Sequence, residues 1–210
     1  MRLLVVAMTI RMAALCSLLV LFSASASPQV AATAAIENPE EYAVWSAVLN
    51  YAYPAEATHQ LVIEDATVVL PDLNFSGNGV YRHPSYSVFE IIADISHRPY
   101  SLERKFELRL PYALISKTEA PPISLALPGG RDTRDDIAKM RSSWKGFYKK
   151  YPGAHGILAL SRVAFVNHGA QAVVYVTNEM GPSDSRDWDY SLARENGTWV
   201  VKSVERIPSG

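Results

Sequence analysis

The sequence predicts a single α+β domain, in which two amphipathic helices pack on one face of an antiparallel sheet that ends in a C-terminal meander. Three observations favour this class. Apolar residues recur at steps of three and four before residue 53 and again before Pro152, as they do along one face of a helix. Runs rich in β-branched residues follow toward the carboxyl end. Asn196-Gly197, between the last two runs, favours a tight hairpin turn.

The first 26 residues have the pattern of a secretory signal peptide. Arg2 precedes an apolar run over residues 3–22, and Ala24-Ser25-Ala26 supplies the small residues that signal peptidase requires. We expect cleavage after Ala26, export to the periplasm or the medium, and membrane contact only through this segment before cleavage. The alternative is an uncleaved anchor in the inner membrane, because the run is about long enough to span a bilayer. Arg11 within the run disfavours that alternative.

The composition limits the chemistry and the binding partners that we expect of the mature chain. Cys16 is the only cysteine and leaves with the signal peptide, so we expect neither disulfides nor thiolate chemistry in the mature chain. A net charge of −1 gives no reason to expect nucleic acid as a partner. We interpret residues 27–37, which are rich in alanine, as a flexible leader. Residues 38–210 are long enough for one domain.

The first helix and strand have clear boundaries. Asn38 is a good N-cap, Pro39 suits the first turn, and Tyr53-Pro54 ends the helical pattern. Residues 61–70 are rich in β-branched side chains and predict a strand. Residues 71–87 have no periodicity and predict a long loop.

The middle of the chain predicts a short helix over residues 88–96 and then a strand over residues 104–114. In the strand, apolar residues alternate with charged ones, which is typical of a strand with one buried and one solvated face. Residues 116–131 contain several prolines and glycines and predict a second loop.

The second amphipathic helix carries the strongest local signals. Asp132 is the expected cap, and Lys149-Lys150 lie at its negative end. Pro152-Gly153 is the expected termination. Its apolar stripe is long: Ile137, Met140, Trp144, Phe147, Tyr148 and Tyr151.

Two strands, residues 157–166 and 171–178, are predicted around a four-residue loop. If that loop fixes the register, Arg162 lies opposite Tyr175. The same register places Leu158 and Leu160 on the Arg162–Tyr175 face and Ile157 and Ala159 on the core face. The last hairpin, residues 187–194 and 198–206, places five apolar side chains on one face: Trp188, Tyr190, Leu192, Trp199 and Val201.

Several segments resemble a family of exported bacterial proteins. These are the pattern Phe147-x-x-x-Tyr151-Pro152-Gly153-x-x-Gly156-Ile157 and the segments at residues 99–104, 160–165 and 171–176, which together span about half of the mature chain. The family has no assigned activity, so the resemblance implies no catalytic residue. The chain departs from it at residues 179–186, which are polar where the family has a Gly-rich aromatic stretch.

Patterns for catalysis and metal binding are weak. Ser161 lacks the Gly-x-Ser-x-Gly context of an exposed nucleophile, and the five histidines show no short ligand spacing. Asp187 and Asp189 lie on one strand face, but solvated carboxylates on a strand are common, so this pair is only a weak sign of acid–base catalysis. We therefore predict no catalytic residue, no metal and no cofactor.

Three residues are candidates for ligand binding. Arg162 is a charge in an apolar strand, which must be paired or must meet a ligand. Tyr175 shares its predicted face, and His155 lies in a short link between helix and strand, where loops present side chains.

We predict a periplasmic or cell-envelope binding module for a small ligand, a peptide or an envelope component. The alternative is a hydrolase that acts on an envelope substrate and uses His155 with an aspartate. By analogy with nuclear-transport-factor-2-like folds, the sheet is further expected to be cone-like with a pocket.

Overall fold

The computed structural model describes residues 33–69, 86–123 and 134–207, with residues 86–90 described by their backbone alone. The predicted signal peptide, residues 27–32 of the predicted leader, the Asp132 cap, most of the first predicted loop and the second half of the second lie outside these residues. Within them, no helix is both long enough and apolar enough to cross a membrane.

The described residues form three α-helices, nine β-strands and a short 3₁₀ helix. The helices are α1 (Pro39–Ala52), α2 (Tyr86–Ile95) and α3 (Arg134–Lys150), and the 3₁₀ helix is Asn167–Gly169. The strands are β1 (Ala34–Ala35), β2 (Leu61–Glu64), β3 (Tyr100–Ser101), β4 (Tyr112–Ile115), β5 (Ile157–Leu160), β6 (Ala164–Val166), β7 (Gln171–Gly181), β8 (Asp184–Glu195) and β9 (Thr198–Ile207).

Seven of these strands form one sheet in the order β4-β2-β5-β7-β8-β9, and β6 pairs with the first half of β7. β4 and β5 pair with β2 in parallel, and all other pairs of this sheet are antiparallel. The long strands β7, β8 and β9 are consecutive and form the meander. The predicted α+β class with a C-terminal antiparallel meander is therefore confirmed.

The helices lie on both faces of the sheet, whereas the prediction placed two helices on one face. Leu61 and Ile63 of β2 belong to the main core under α1, and Val62 between them packs with Trp144 and Phe147 of α3. Side chains alternate across a strand, so α1 and α3 cover opposite faces. The sequence pattern marks an apolar stripe on each helix but does not specify which face of the sheet it covers.

Helix α1 begins and ends as predicted. The Asn38 side chain accepts a hydrogen bond of 3.0 Å from the Glu40 amide, and Pro39 occupies the first turn. Tyr53 is the C-cap, one residue before Pro54. Most of the helix is buried, including the fully inaccessible Trp45. Such a helix depends on its neighbours for stability more than on its own propensity.

The predicted strand over residues 104–114 is wrong in its backbone and correct in its burial pattern. Phe106 and Leu110 are buried as the alternation predicts, but only Tyr112–Ile115 pairs in the sheet. The preceding segment instead runs along α1, where side chains one turn apart accept its amide hydrogens. Tyr42 Oη accepts from Glu103, Ser46 Oγ from Glu107 and Asn50 Oδ1 from Arg109, at 2.8–2.9 Å. An extended segment with alternating burial therefore need not belong to a sheet.

The strand predicted over residues 157–166 is interrupted between β5 and β6. Ala164 pairs with Val173, as the predicted register requires, but Leu160 pairs with Val176, which is a slip of one residue. A one-residue slip moves side chains to the other face. Leu158 and Leu160 therefore belong to the core under α1, contrary to the prediction, and Ile157 packs with α3.

The last hairpin follows the prediction. Asn196 and Gly197 both have positive φ, 50° and 82°, as a type I′ turn requires. Tyr190, Leu192 and Trp199 lie in the main core, and Trp188 and Val201 pack against it.

Two boundaries differ from the prediction. Ala34–Ala35 pairs with Tyr100–Ser101 and Ile36 is buried, so the fold begins before residue 38. The strand predicted over residues 61–70 ends at Glu64, because the chain then turns to pair with residues 100–102 through Thr67 and Asp65.

Trp144 provides a test of the α3 packing. It is 3% exposed, contacts Phe147 and donates from Nε1 to the Pro122 carbonyl at 3.2 Å. We expect Trp144→Ala to lower the free energy of unfolding by about 3–5 kcal/mol in urea melts, as large aromatic truncations in cores do. The neighbouring exposed Lys145→Ala is the control, and a loss below about 1 kcal/mol for Trp144→Ala contradicts the packing.

Candidate functional site

Arg162 forms a buried ion pair with Glu41 of α1. Arg162 Nε and Nη2 donate to the two Glu41 carboxylate oxygens at 2.8 and 2.7 Å. Glu41 is 1% exposed and also accepts the Val163 amide hydrogen at 3.1 Å. These hydrogen bonds raise the pKa of the Arg162 guanidinium. The charge of Arg162, which the sequence predicts to need a partner or a ligand, therefore has an internal partner.

The interruption between β5 and β6 positions this pair. Ser161 Oγ accepts from the Tyr175 amide and donates to the Arg162 carbonyl, at 2.9 and 2.7 Å. Trp45 Nε1 donates to the Ser161 carbonyl at 3.1 Å. Ser161 is fully buried, and it satisfies backbone groups that the broken ladder leaves unpaired. Its position agrees with a structural role and not with that of a nucleophile.

The exposed side of Arg162 stacks on Tyr100. The Arg162 Cζ atom lies 4.1 Å from the Tyr100 ring centroid, and the Arg98 Cζ atom lies 4.9 Å from the same centroid. Arg98 Nε also donates to the Tyr100 hydroxyl at 3.0 Å. This hydrogen bond, aided by both positive charges, lowers the pKa of the Tyr100 hydroxyl. Arg98 and Tyr100 are absent from the predicted site, because their contact with Arg162 is set by the tertiary fold.

Tyr175 lies on the other face of the sheet from Glu41. It packs beside Ile92 and Val173 under α2, whereas its neighbours Val174 and Val176 belong to the core under α1. Burial, together with the Asp187 and Asp189 carboxylates, raises the pKa of the Tyr175 hydroxyl. The predicted common face of Arg162 and Tyr175 is therefore wrong, because the interruption after β5 directs Arg162 toward α1.

Further along this face the sheet carries several carboxylates. Glu179 follows Tyr175 by four residues on β7, and Glu64 is buried on β2. Burial raises the pKa of Glu179 to about 7, and repulsion from Glu64 adds to this while Lys117 opposes it. Burial also raises the pKa of Glu64. Among the described residues, no group of three potential ligands has the geometry of a metal site.

His155 fixes a turn. Its Nε2 donates to the Ala57 carbonyl at 2.8 Å, and its ring lies 6.4 Å from the Tyr53 ring. The contact joins the link between α3 and β5 to the loop after α1. A backbone carbonyl can only accept a hydrogen bond, so the Nε2 atom is the donor in this contact.

A groove of about 860 Å³ lies along the outer side of α1. Ala43, Ala47 and Tyr51 of α1 line its base, and Tyr51 is 61% exposed. Residues 198–201 of β9 form one wall, and Glu107 and Arg109 of the extended segment line the other. The sequence interpretation missed this groove, although the small residues Ala43 and Ala47 on an otherwise bulky helix were a signal for it.

The first wall of the groove is held to α1 by Glu40. Its carboxylate accepts from Trp199 Nε1 at 2.9 Å and from Arg194 Nη2 at 3.1 Å. These bonds connect the first turn of the helix to the strands on both sides of the last hairpin turn. The groove therefore has two walls that are each tied to α1 by hydrogen bonds.

The Glu41–Arg162 pair makes an asymmetric prediction. Arg162→Met leaves a carboxylate buried, so we expect a loss of about 3–5 kcal/mol in the free energy of unfolding. The double variant Glu41→Leu/Arg162→Met removes both charges and is expected to cost less than Arg162→Met alone. Urea denaturation measures both, and Lys150→Met, which breaks the exposed pair with Glu119, is a control expected to cost below about 1 kcal/mol. A double variant as unstable as the sum of its single variants contradicts the assignment.

Glu179 makes a pH prediction. Its pKa of about 7 exceeds the ordinary 4.5, so between these values the folded protein binds more protons than the unfolded chain. The stability that Glu179 contributes through this proton is fully present below pH 4.5, and it is lost as the pH rises through about 7. Glu179→Gln should therefore gain stability relative to the wild type more at pH 8 than at pH 5, measured by urea melts. The exposed Glu37→Gln is the control, and an equal difference at both pH values for Glu179→Gln contradicts the prediction.

Comparison with known proteins adds no relative from which a function could be transferred: no protein family, no curated protein and no solved structure matches this chain. The resemblance to an exported bacterial family stays a prediction from the sequence.

Proposed function

We propose that the protein is an exported binding module of the periplasm or cell envelope, and that its ligand is an extended peptide held in the groove between α1 and β9. The observation that carries this proposal is that one wall of the groove belongs to the last strand of the sheet order among the described residues. The edge of a sheet offers main-chain hydrogen bonds to an added strand.

The hydrogen-bonding phase of β9 supports this choice of ligand. Glu195 and Thr198 close the two-residue turn, and such a closing pair exchanges both of its hydrogen bonds. The next pair, Arg194 and Trp199, is therefore a non-bonded pair, and the Arg194 amide accordingly donates away from β9, to the Ala170 carbonyl at 2.9 Å. By the same alternation, the Trp199 amide and carbonyl point outward, toward the position of an added strand.

The size and charge of the groove favour a peptide over other polymers. A volume of about 860 Å³ is within the range of specific ligand sites. Its charged residues are two acids and two bases, of which Glu40 and Arg194 pair with each other. A lining without net charge does not attract a polyanion such as nucleic acid. A glycan lacks the amide groups that would pair with the edge of β9, whereas a peptide supplies them.

The same geometry favours binding over hydrolysis. The hydrolase alternative needs His155 beside an aspartate, but the Nε2 atom of His155 bonds to the Ala57 carbonyl, and His155 does not line the groove. The Glu40 carboxylate in the groove is occupied by Trp199 and Arg194. The hydrolase and the membrane-anchored form remain alternatives from the sequence. No contact among the described residues favours either of them.

Screening the purified protein against a library of short synthetic peptides, each about six residues long like a typical strand, tests the proposal. We expect a subset of peptides to bind, and Ala43→Arg to weaken their binding at least about tenfold by filling the base of the groove. Ser143→Arg adds the same side chain at an exposed position of α3 and should leave the affinity unchanged.

Amide hydrogen exchange tests the binding mode. An added strand should slow the exchange of the Trp199 amide and leave that of Val200, which pairs with Ala193 of β8, nearly unchanged. Peptides that bind Ala43→Arg as well as the wild type, or that leave Trp199 exchange unaltered, contradict the proposal. So does a library in which no peptide binds.

A further inference from the structure

We propose that Arg98, Tyr100 and Arg162 form a second binding site, which takes the phosphate group of a small ligand. None of the three residues lines the groove between α1 and β9, so this site is independent of the proposed peptide site. The proposal rests on the fixed orientation of Arg162, on the position of Arg98 and on the balance of charge.

Arg162 is held in place by the carboxylate beneath it. Its bonds to Glu41 use Nε and one N–H of Nη2, so the other N–H of Nη2 and those of Nη1 point away from that carboxylate, and the Tyr100 hydroxyl also interacts with the guanidinium. The side chain is 20% exposed, and the carboxylate that anchors it is 2% exposed. The Tyr100 ring at 4.1 Å supports one face of the guanidinium. A guanidinium held in this way loses little conformational entropy when it binds an anion.

Arg98 brings a second guanidinium to the same ring. It is exposed, its Nε bonds to the Tyr100 hydroxyl at 3.0 Å, and among the ion pairs of the described residues none includes Arg98. Two cations therefore share one aromatic ring, and among the described residues their ion pairs include one carboxylate, Glu41. The remaining positive charge favours an anionic ligand, and an anion would also reduce the repulsion between the two arginines.

The geometry of the donors points to phosphate rather than carboxylate. Each guanidinium can present a pair of N–H donors that matches two oxygens of an anion. A phosphate group has more acceptor oxygens than a carboxylate, so it can meet two such partners more fully. The hydroxyl of Tyr100 lies between the two side chains and can contribute a further donor when it is protonated.

Titration of the purified protein with inorganic phosphate, at constant ionic strength and with calorimetric or NMR detection, tests the site. We expect saturable binding in the wild type and at least about a tenfold loss of affinity in Arg98→Gln. Arg104→Gln is the matched control, because Arg104 is also exposed and stacks on a tyrosine, with its Cζ 5.9 Å from the Tyr112 ring centroid. Its affinity for phosphate should equal that of the wild type.

Tyr100→Phe provides a second variant that keeps the ring and removes the hydroxyl that orients Arg98, and it should weaken phosphate binding. The absence of saturable phosphate binding by the wild type overturns the proposal, as does equal affinity in Arg98→Gln and Arg104→Gln. Acetate that binds as tightly as phosphate overturns the assignment to a phosphate group. Vesicles of phosphatidylglycerol distinguish the source: Arg98-dependent binding to them assigns the phosphate to a lipid headgroup, and binding of free phosphate alone assigns it to a soluble ligand.

Discussion

The ion pair between Glu41 and Arg162 connects the helix that carries the core to the irregular point of the sheet. Glu41 lies in the first turn of α1, and it binds the guanidinium of Arg162 and the amide of Val163. Both partners come from residues 161–163, where β5 ends before β6 begins. A buried carboxylate is costly unless all its bonds are satisfied, so the pair fixes the position of α1 on the sheet.

Helix α1 contacts different structures along its different sides. Trp45, Val48 and Leu49 face the core, while Tyr42, Ser46 and Asn50 bind the main chain of the extended segment before β4. Glu40 holds the last hairpin through Trp199 and Arg194. The groove is the part of the helix surface that these contacts leave open. Its shape therefore follows from the same hydrogen bonds that stabilise the fold.

The two faces of the sheet differ in chemistry. The face under α1 is closed by a large apolar core, whereas the other face has apolar patches under α2 and α3 and carboxylates on the strands. Burial among these carboxylates is what raises the pKa of Glu179 toward neutrality. The face under α2 and α3 is therefore the one on which we expect the free energy of unfolding to depend on pH. Both proposed binding sites depend instead on contacts of α1.

The sequence by itself determined the elements whose signals are local. The cap at Asn38, the stop before Pro54, the stripe of α3 and the Asn196-Gly197 turn are set by neighbours in the chain, and all follow the prediction within the described residues. It also determined that Arg162 needs a partner, since a charge in an apolar run requires one.

Only the tertiary structure decided the features that depend on distant residues. The one-residue slip after β5 moved Leu158 and Leu160 to the other face, and it separated Arg162 from Tyr175. The alternation over residues 104–110 predicted which side chains are buried, but not what the backbone of this segment binds. Its amides could be satisfied by side chains of α1 as well as by a neighbouring strand. The groove and the two-arginine site likewise arise where segments far apart in sequence meet, which no local pattern encodes.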